Sequence, residues 1–553
     1  MTREGMIVAP QPEAVEAGAL VLRGGGNAID AAIACALVQT VVDPLMCGVA
    51  GFGSLHIFHA TSGRHAIIDA HARCPAAVRP DMWEDLILGE TSDGFGFILR
   101  DYVNERGYGA VAASGILRAF SEAIAEFGTM PWHRVVAPAV AEAERGFVVR
   151  PHVHTVWTQD ERQFGRLNYG DKLGVSETGR NVYLEPDGVY KKLGQRVVNP
   201  DMQRSLQRIA DEGAEVFSEG SMAEEIDADF RANGGLLRAS DLGAYRTSRP
   251  EPIWGEYRGH RIATNPPPGG GILLLEILQI LENFDVTAME HNSARHIAVL
   301  AEAMKCATRD KDLHVGDPQF VQVPVERLTS KAYAQDIAER IKDGERFSVP
   351  RLKAEPANTT HVSCMDREGN VVSLTHSLGI PSGVITVGHG FMHNGCMSVF
   401  DPRPGRTGSI AAGKSRFASM APTLVFRDNR VSMSIGAPGG TYIPLAIAQA
   451  IMNIIDFGMT MSEAVAAPRI SATSDVISVS NRVPRYVTDE LVAEGYAVAR
   501  SPLSFAFAGV HGIAAGRDGR LTGGADPQRD GMALAVRSHD LAAPHPFSEG
   551  DNR

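Results

Sequence analysis

The residues most able to do chemistry sit in one short stretch, Asn358-Thr359-Thr360-His361, followed after a turn by Thr375-His376-Ser377. Two β-prone runs flank Asp366-Arg-Glu-Gly369-Asn370, so the segment reads as a hairpin whose turn uses Gly369. If Asp366 faces Asn370, counting back along both strands sets Thr359 opposite Ser377, with Cβ atoms roughly 5 Å apart. Two hydroxyls would then meet at the open end of the hairpin. Thr is also simply a good strand residue, so spacing alone leaves a purely structural role open. A nucleophilic role needs a base. His361 shares the strand face of Thr359, and a cut before Thr359 would create an α-amine with a pKa near ~8 beside its own hydroxyl.

The elements that would position this hairpin can be read around it. Pro12 to Arg23 has helical apolar spacing and stops at three glycines, and Asn27 reads as the cap of a second helix, Ala28 to Val42, apolar on most faces and ended by Pro44. A glycine-rich turn, Gly48 to Gly53, leads to strand-like Ser54 to Phe58 and His65 to Asp69. From about Ala110 to Lys342 the chain reads mostly helical, broken at Trp254 to Gly259 and at Pro266 to Gly271. Short strands and turns follow Asn358, then helices Pro444 to Phe457 and Met461 to Ala467, more strands, and a loose polar tail from about Arg537 to Arg553.

Composition bounds the class. With 553 residues, 44% hydrophobic and 21% charged, the chain is an ordinary globular protein large enough for more than one core. A net charge of -12 argues against nucleic acid as a partner. Six cysteines without a Cys-x-x-Cys pair do not make a disulfide framework. The longest apolar run contains Gln39 and is too short to span a bilayer, and no export leader is legible, so the expected place is the cytoplasm, away from membranes. Gly48-Val-Ala-Gly51-Phe-Gly53 lacks dinucleotide-fingerprint spacing, and the His pairs 389/393 and 152/154 lack further ligands; no cofactor and no metal are expected.

The hairpin and its surroundings resemble the γ-glutamyltransferase family of N-terminal nucleophile hydrolases. The resemblance spans nearly the whole chain: Gly25-Gly-Asn-Ala-Ile-Asp-Ala-Ala32, Asp43-Pro to Gly53, Glu256-Tyr-Arg-Gly259, Pro266 to Gly271, Thr359-Thr-His361, Ala418-Ser-Met-Ala-Pro422 and Gly436-Ala-Pro-Gly-Gly440. It implies an α/β (α+β) four-layer αββα sandwich with a helical lobe from the large fragment. It also implies self-cleavage between Asn358 and Thr359 into residues 1–358 and 359–553, which stay together as a heterodimer. Thr359 would be the nucleophile, its α-amine the base, Ser377 the hydroxyl that bonds it, and the N–H groups of Gly439 and Gly440 the oxyanion donors. The substrate would be a small-molecule amide.

The resemblance fails where the family grips glutamate. His71 stands in place of the arginine that holds the α-carboxylate, with Arg73 two residues on; Gly379 replaces an Asn; Gly395 and Ser398 replace the amide and acid that meet the α-amine; Ser419 keeps one of two paired serines. Losing such polar groups relaxes selection strongly. The expected activity is therefore amide cleavage through an acyl-enzyme with non-glutamyl or relaxed acyl specificity. The alternatives are true γ-glutamyl transfer or glutathione hydrolysis, and an uncleaved, inactive homologue that serves as a binding protein.

Overall fold

The computed structural model describes residues 4–92, 96–350 and 359–537; Asn358 and nearly all of the C-terminal tail lie outside them. The two N-terminal helices form where the sequence places them, Pro12–Arg23 and Ala28–Val42. Asn27 accepts from the N–H groups of Ile29 and Asp30, while the Asp30 carboxylate accepts from the Asn27 N–H, so both ends of a capping box are closed. Every residue of Ala28–Val42 is buried, as its all-round apolar sequence requires.

Two six-stranded sheets face each other. The first runs Met532–Arg537, Glu4–Ala9, Thr360–Met365, Val371–Ser377, Phe52–His59, Arg64–Ala70. The second runs Leu521–Ala525, His511–Ala515, Arg430–Gly436, Thr423–Arg427, His260–Thr264, Ile253–Tyr257. Met6, Val8, Met365 and Val371 of the first sheet meet Ala263, Leu424, Phe426 and Ile513 of the second in one apolar layer. Helices Pro12–Arg23 and Ala28–Val42 cover the outer face of the first sheet, where Val362, Cys364, Val372 and Leu374 join their core. Helices Gly271–Leu281, Ala294–His314 and Ile443–Ile455 form the outer core of the second. The result is the expected αββα sandwich. The helical lobe between residues 116 and 244 shares one core with the first helical layer, through Phe120, Val135, Leu206 and Phe230.

Two elements lie outside the sequence reading. Glu4–Ala9, which that reading leaves unassigned, is an interior strand paired with both Thr360–Met365 and Met532–Arg537. It is covered on both faces, so it shows no alternation to read. The Trp254 to Gly259 break is instead the start of a hairpin, Ile253–Tyr257 with His260–Thr264. Its two-residue loop, Arg258-Gly259, holds both φ angles positive, the twist a tight hairpin prefers.

Candidate active site

The hairpin keeps the predicted register. Thr360 pairs with His376 and Met365 with Val371, which places Thr359 beside Ser377. The Thr359 hydroxyl donates to Ser377 Oγ at 3.3 Å, and the Gly379 N–H donates to the same oxygen at 2.8 Å. Both hydroxyls are buried. The turn at the other end is anchored by Asp366, whose carboxylate accepts from Asn370 and from the Ala28 N–H at 2.9 Å, the positive end of the buried helix. Hairpin mouth and hairpin turn are thus both fixed by elements distant in sequence.

His361 does share the face of Thr359, but its ring is engaged elsewhere. Its Nδ1 lies 2.9 Å from Thr375 Oγ1 and its Nε2 3.0 Å from Ser363 Oγ. Gly436 leaves room for the ring, since a Cβ there would come within 2.2 Å of it. Burial, helped by neighbouring His376, pulls His361 down to about 3, so the ring stays neutral. The base for Thr359 is therefore not this histidine.

The opposite face of the mouth is locked by a network the sequence reading missed. Gln39 Nε2 donates to Thr360 Oγ1 at 2.8 Å and to Gln11 Oε1 at 2.8 Å, while Gln39 Oε1 lies 2.8 Å from His376 Nε2. Gln11 Nε2 in turn donates to Asp43 Oδ2 at 2.6 Å. A lone glutamine inside an apolar helix was the available signal, because a buried amide needs partners.

Thr359, Ser377 and Gly379 line one pocket with Gly440, Ser419 and Arg416. Gly439, just before it, has φ +151° and a Cβ there would lie 2.3 Å from that of Ala508. Only glycine fits. The turns Gly48 to Gly53 and Pro266 to Gly271 support this wall: Gly51 packs against the Ser377 carbonyl, and the Gly270 N–H donates to the Met420 carbonyl at 2.8 Å while Gly270 lies against the Ser419 backbone.

The residues expected to contact substrate separate into two groups. Gly379 and Ser419 reach the pocket, and the Ser419 hydroxyl has no hydrogen-bond partner among the described residues. His71, Arg73, Gly395 and Ser398 are not among the pocket residues. His71 is buried with Nδ1 2.7 Å from Asp69 Oδ1, next to the ring of Phe52, which does line the pocket. The Arg73 guanidinium stacks on Tyr245. Gly395 is packed on the Ile380 carbonyl, and the Ser398 hydroxyl donates back to the Gly395 carbonyl at 2.8 Å. Arg416 was not anticipated, because nothing in its local sequence distinguishes it.

Away from this site, Glu276, Cys306 and Asp310 meet in the second helical layer. Burial, reinforced by Asp310, raises Glu276 well above the carboxylate range and so favours a protonated, hydrogen-bonded cluster. Among the described residues no helix is long and apolar enough to cross a membrane.

The chain is 39% identical over 539 residues to the Acylase ACY 1 proenzyme of Pseudomonas sp. (strain V22), covering 96% of this chain and 93% of that protein. It is 32% identical to the glutathione hydrolase proenzyme of Escherichia coli (strain K12), covering 95% and 90%. The crystal structure of cephalosporin acylase from Bacillus halodurans matches with a TM-score of 0.85 at 28% identity, covering 96% of each chain. The family model described as Gamma-glutamyltranspeptidase matches residues 14–536, and the chain belongs to that family.

Proposed function

We propose that the protein is a self-cleaving amidohydrolase or acyltransferase that works through an acyl-enzyme on Thr359, with an acyl specificity other than γ-glutamyl. The observation that carries the reading is the Thr359–Ser377 hydroxyl pair, 3.3 Å apart and lining one pocket with Gly440. The proenzyme names of the acylase and hydrolase relatives support self-cleavage. So does the backbone at the cut: in the intact chain Thr359 has φ +126°, a region closed to β-branched residues. Cutting the peptide that enters Thr359 removes that constraint.

In the first step Thr359 Oγ1 attacks the Asn358 carbonyl carbon. The C–N bond breaks, the hydroxyl proton ends on the new Thr359 amine, and water hydrolyses the ester between the fragments 1–358 and 359–553. In the mature enzyme that amine takes the proton as Oγ1 attacks a substrate amide, then returns it to the leaving amine. Backbone N–H groups at Gly439 and Gly440 supply the oxyanion donors; such a donor is worth about 3 kcal/mol. Water or an amine then collects the acyl group.

His71, Arg73, Gly395 and Ser398 do not line the pocket with Thr359, which supports the acylase reading over glutathione hydrolysis. Six free, buried cysteines support a reducing, cytoplasmic setting. Denaturing electrophoresis of freshly made protein tests the mechanism: wild type should give two fragments and Thr359→Ala one uncut chain with turnover at least ~10³-fold lower. An intact wild-type chain with full activity would overturn it.

A further inference from the structure

The chain of buried amides beneath the hairpin mouth has a direction, and one carboxylate sets it. Asp43 is 0% exposed and, as an anion, can only accept hydrogen bonds. Burial lifts its carboxyl to about 6, against the pull of Arg150, the Gln11 amide and Arg529, so it is ionised at neutral pH. Gln11 Nε2 donates to Asp43 Oδ2 at 2.6 Å, which turns the Gln11 carbonyl oxygen the other way. That oxygen accepts from Gln39 Nε2 at 2.8 Å and from the Thr360 hydroxyl at 3.3 Å. Gln39 Nε2 gives its other proton to Thr360 Oγ1 at 2.8 Å, and Gln39 Oε1 is left facing His376 Nε2 at 2.8 Å.

The last link then has no choice. The His376 ring is neutral, since burial pulls it down to about 3, and it must carry its single proton on Nε2. Its Nδ1 is left bare, and that atom is buried with no hydrogen-bond partner among the described residues. Turning either amide over would set like groups against each other at both of its ends. The backbone bears the same demand: Gln11 is buried and holds φ +62°, outside the region that ordinary side chains favour. Thr360, at the far end, directly follows the nucleophile. Successive strand residues point to opposite faces, so a Thr360 side chain fixed on the helix side turns Thr359 toward the pocket.

We propose that Asp43 is a positioning residue for self-cleavage. Its charge orders the Gln11 and Gln39 amides and the His376 ring, and through Thr360 it holds Thr359 Oγ1 in place to attack the peptide bond that precedes it. Asp43 itself touches neither reacting atoms nor substrate. The proposal rests on the self-cleavage reading above.

Moving the carboxylate by one link tests it. Asp43→Asn lets either end of an amide face Gln11, so the direction is no longer forced. Cleavage of pulse-labelled precursor, followed by denaturing electrophoresis, should slow by about 10-fold, the size of one hydrogen bond to a charged group. Imidazole ¹⁵N shifts of histidine-labelled protein, with the signal assigned through His376→Gln, should change from the Nε2–H tautomer to a mixture. Gln11→Glu combined with Asp43→Asn puts an acceptor-only group at the next link and keeps the net charge. That double variant should recover most of the cleavage rate and the single tautomer, which a merely structural role would not restore. A wild-type rate and a single tautomer in Asp43→Asn, or a double variant no faster than Asp43→Asn, overturns the role of Asp43 while self-cleavage stands. A wild-type precursor that never cuts overturns the self-cleavage reading itself.

Discussion

Gly379 and Arg416 share one space: a Cβ on the glycine would stand 2.7 Å from the arginine Nη1 and 3.2 Å from Cys396 Sγ. Gly379 has φ +68°, a backbone that Asn tolerates better than other side chains. Gly379→Asn should therefore fold and cut, because the clash falls on the far end of a flexible side chain. It should push the guanidinium aside and lower hydrolysis of a carboxylate-ended anilide relative to its neutral amide by about 10-fold, a loss of one good hydrogen bond. The ratio of glutaryl to terminal-amide anilide hydrolysis reads the effect, and an unchanged ratio would separate the two residues functionally.

Ser377 Oγ accepts from both the Thr359 hydroxyl and the Gly379 N–H. Ser377→Ala removes that shared acceptor and leaves both donors unbonded in a buried place. Self-cleavage and turnover should each slow by about 10- to 100-fold while the fold persists. Time-resolved electrophoresis and anilide hydrolysis check this; wild-type rates in both would detach Ser377 from the nucleophile.

Gln39→Leu probes the lock under the hairpin mouth. The change strips partners from Thr360, Gln11 and His376 at once. Each buried group left unsatisfied costs about 1–3 kcal/mol, so Tm should drop by several degrees and cleavage should slow. Thermal melts before and after processing distinguish a loosened fold from a damaged nucleophile.

The buried histidines set the acid limit of stability. Burial pulls His361, His376, His56 and His393 down to about 3 and His296 to about 4. Below ~6.5 the unfolded chain takes up protons at these rings and the folded chain does not. Stability is therefore fully present above ~6.5 and declines as pH falls toward 3. Tm should decline steadily between pH 7 and 4.5, and a flat profile there would contradict these buried neutral rings. Activity should fall earlier on the acid side, as the Thr359 amine near ~8 becomes protonated.

How much was legible follows from how local each signal is. Period-two runs around Asp366 to Asn370 determine the register of the hairpin, because a turn that pairs those two residues leaves Thr359 only Ser377 to face. The Asn27 cap and the apolar helix behind it are local as well, and they appear where the sequence puts them. The motif order was specific enough to indicate the family before any coordinates, and several of its glycines, Gly51, Gly270 and Gly439 among them, sit at close approaches that no side chain would fit.

Other features depend on neighbours far along the chain. Glu4–Ala9 becomes a strand because residues 363–365 and 532–537 pair on either side of it. His361 looks like a base in sequence and is disqualified only by Thr375, Ser363 and burial. Arg416 carries no local signal at all; the strand register beside Ala72 brings its charge into the space left at Gly379. The sequence alone determined that the Thr359 and Ser377 hydroxyls face each other, because covalent spacing along one hairpin sets both. Only the tertiary structure decided which charge lines the pocket beside Thr359, because that depends on packing between segments hundreds of residues apart.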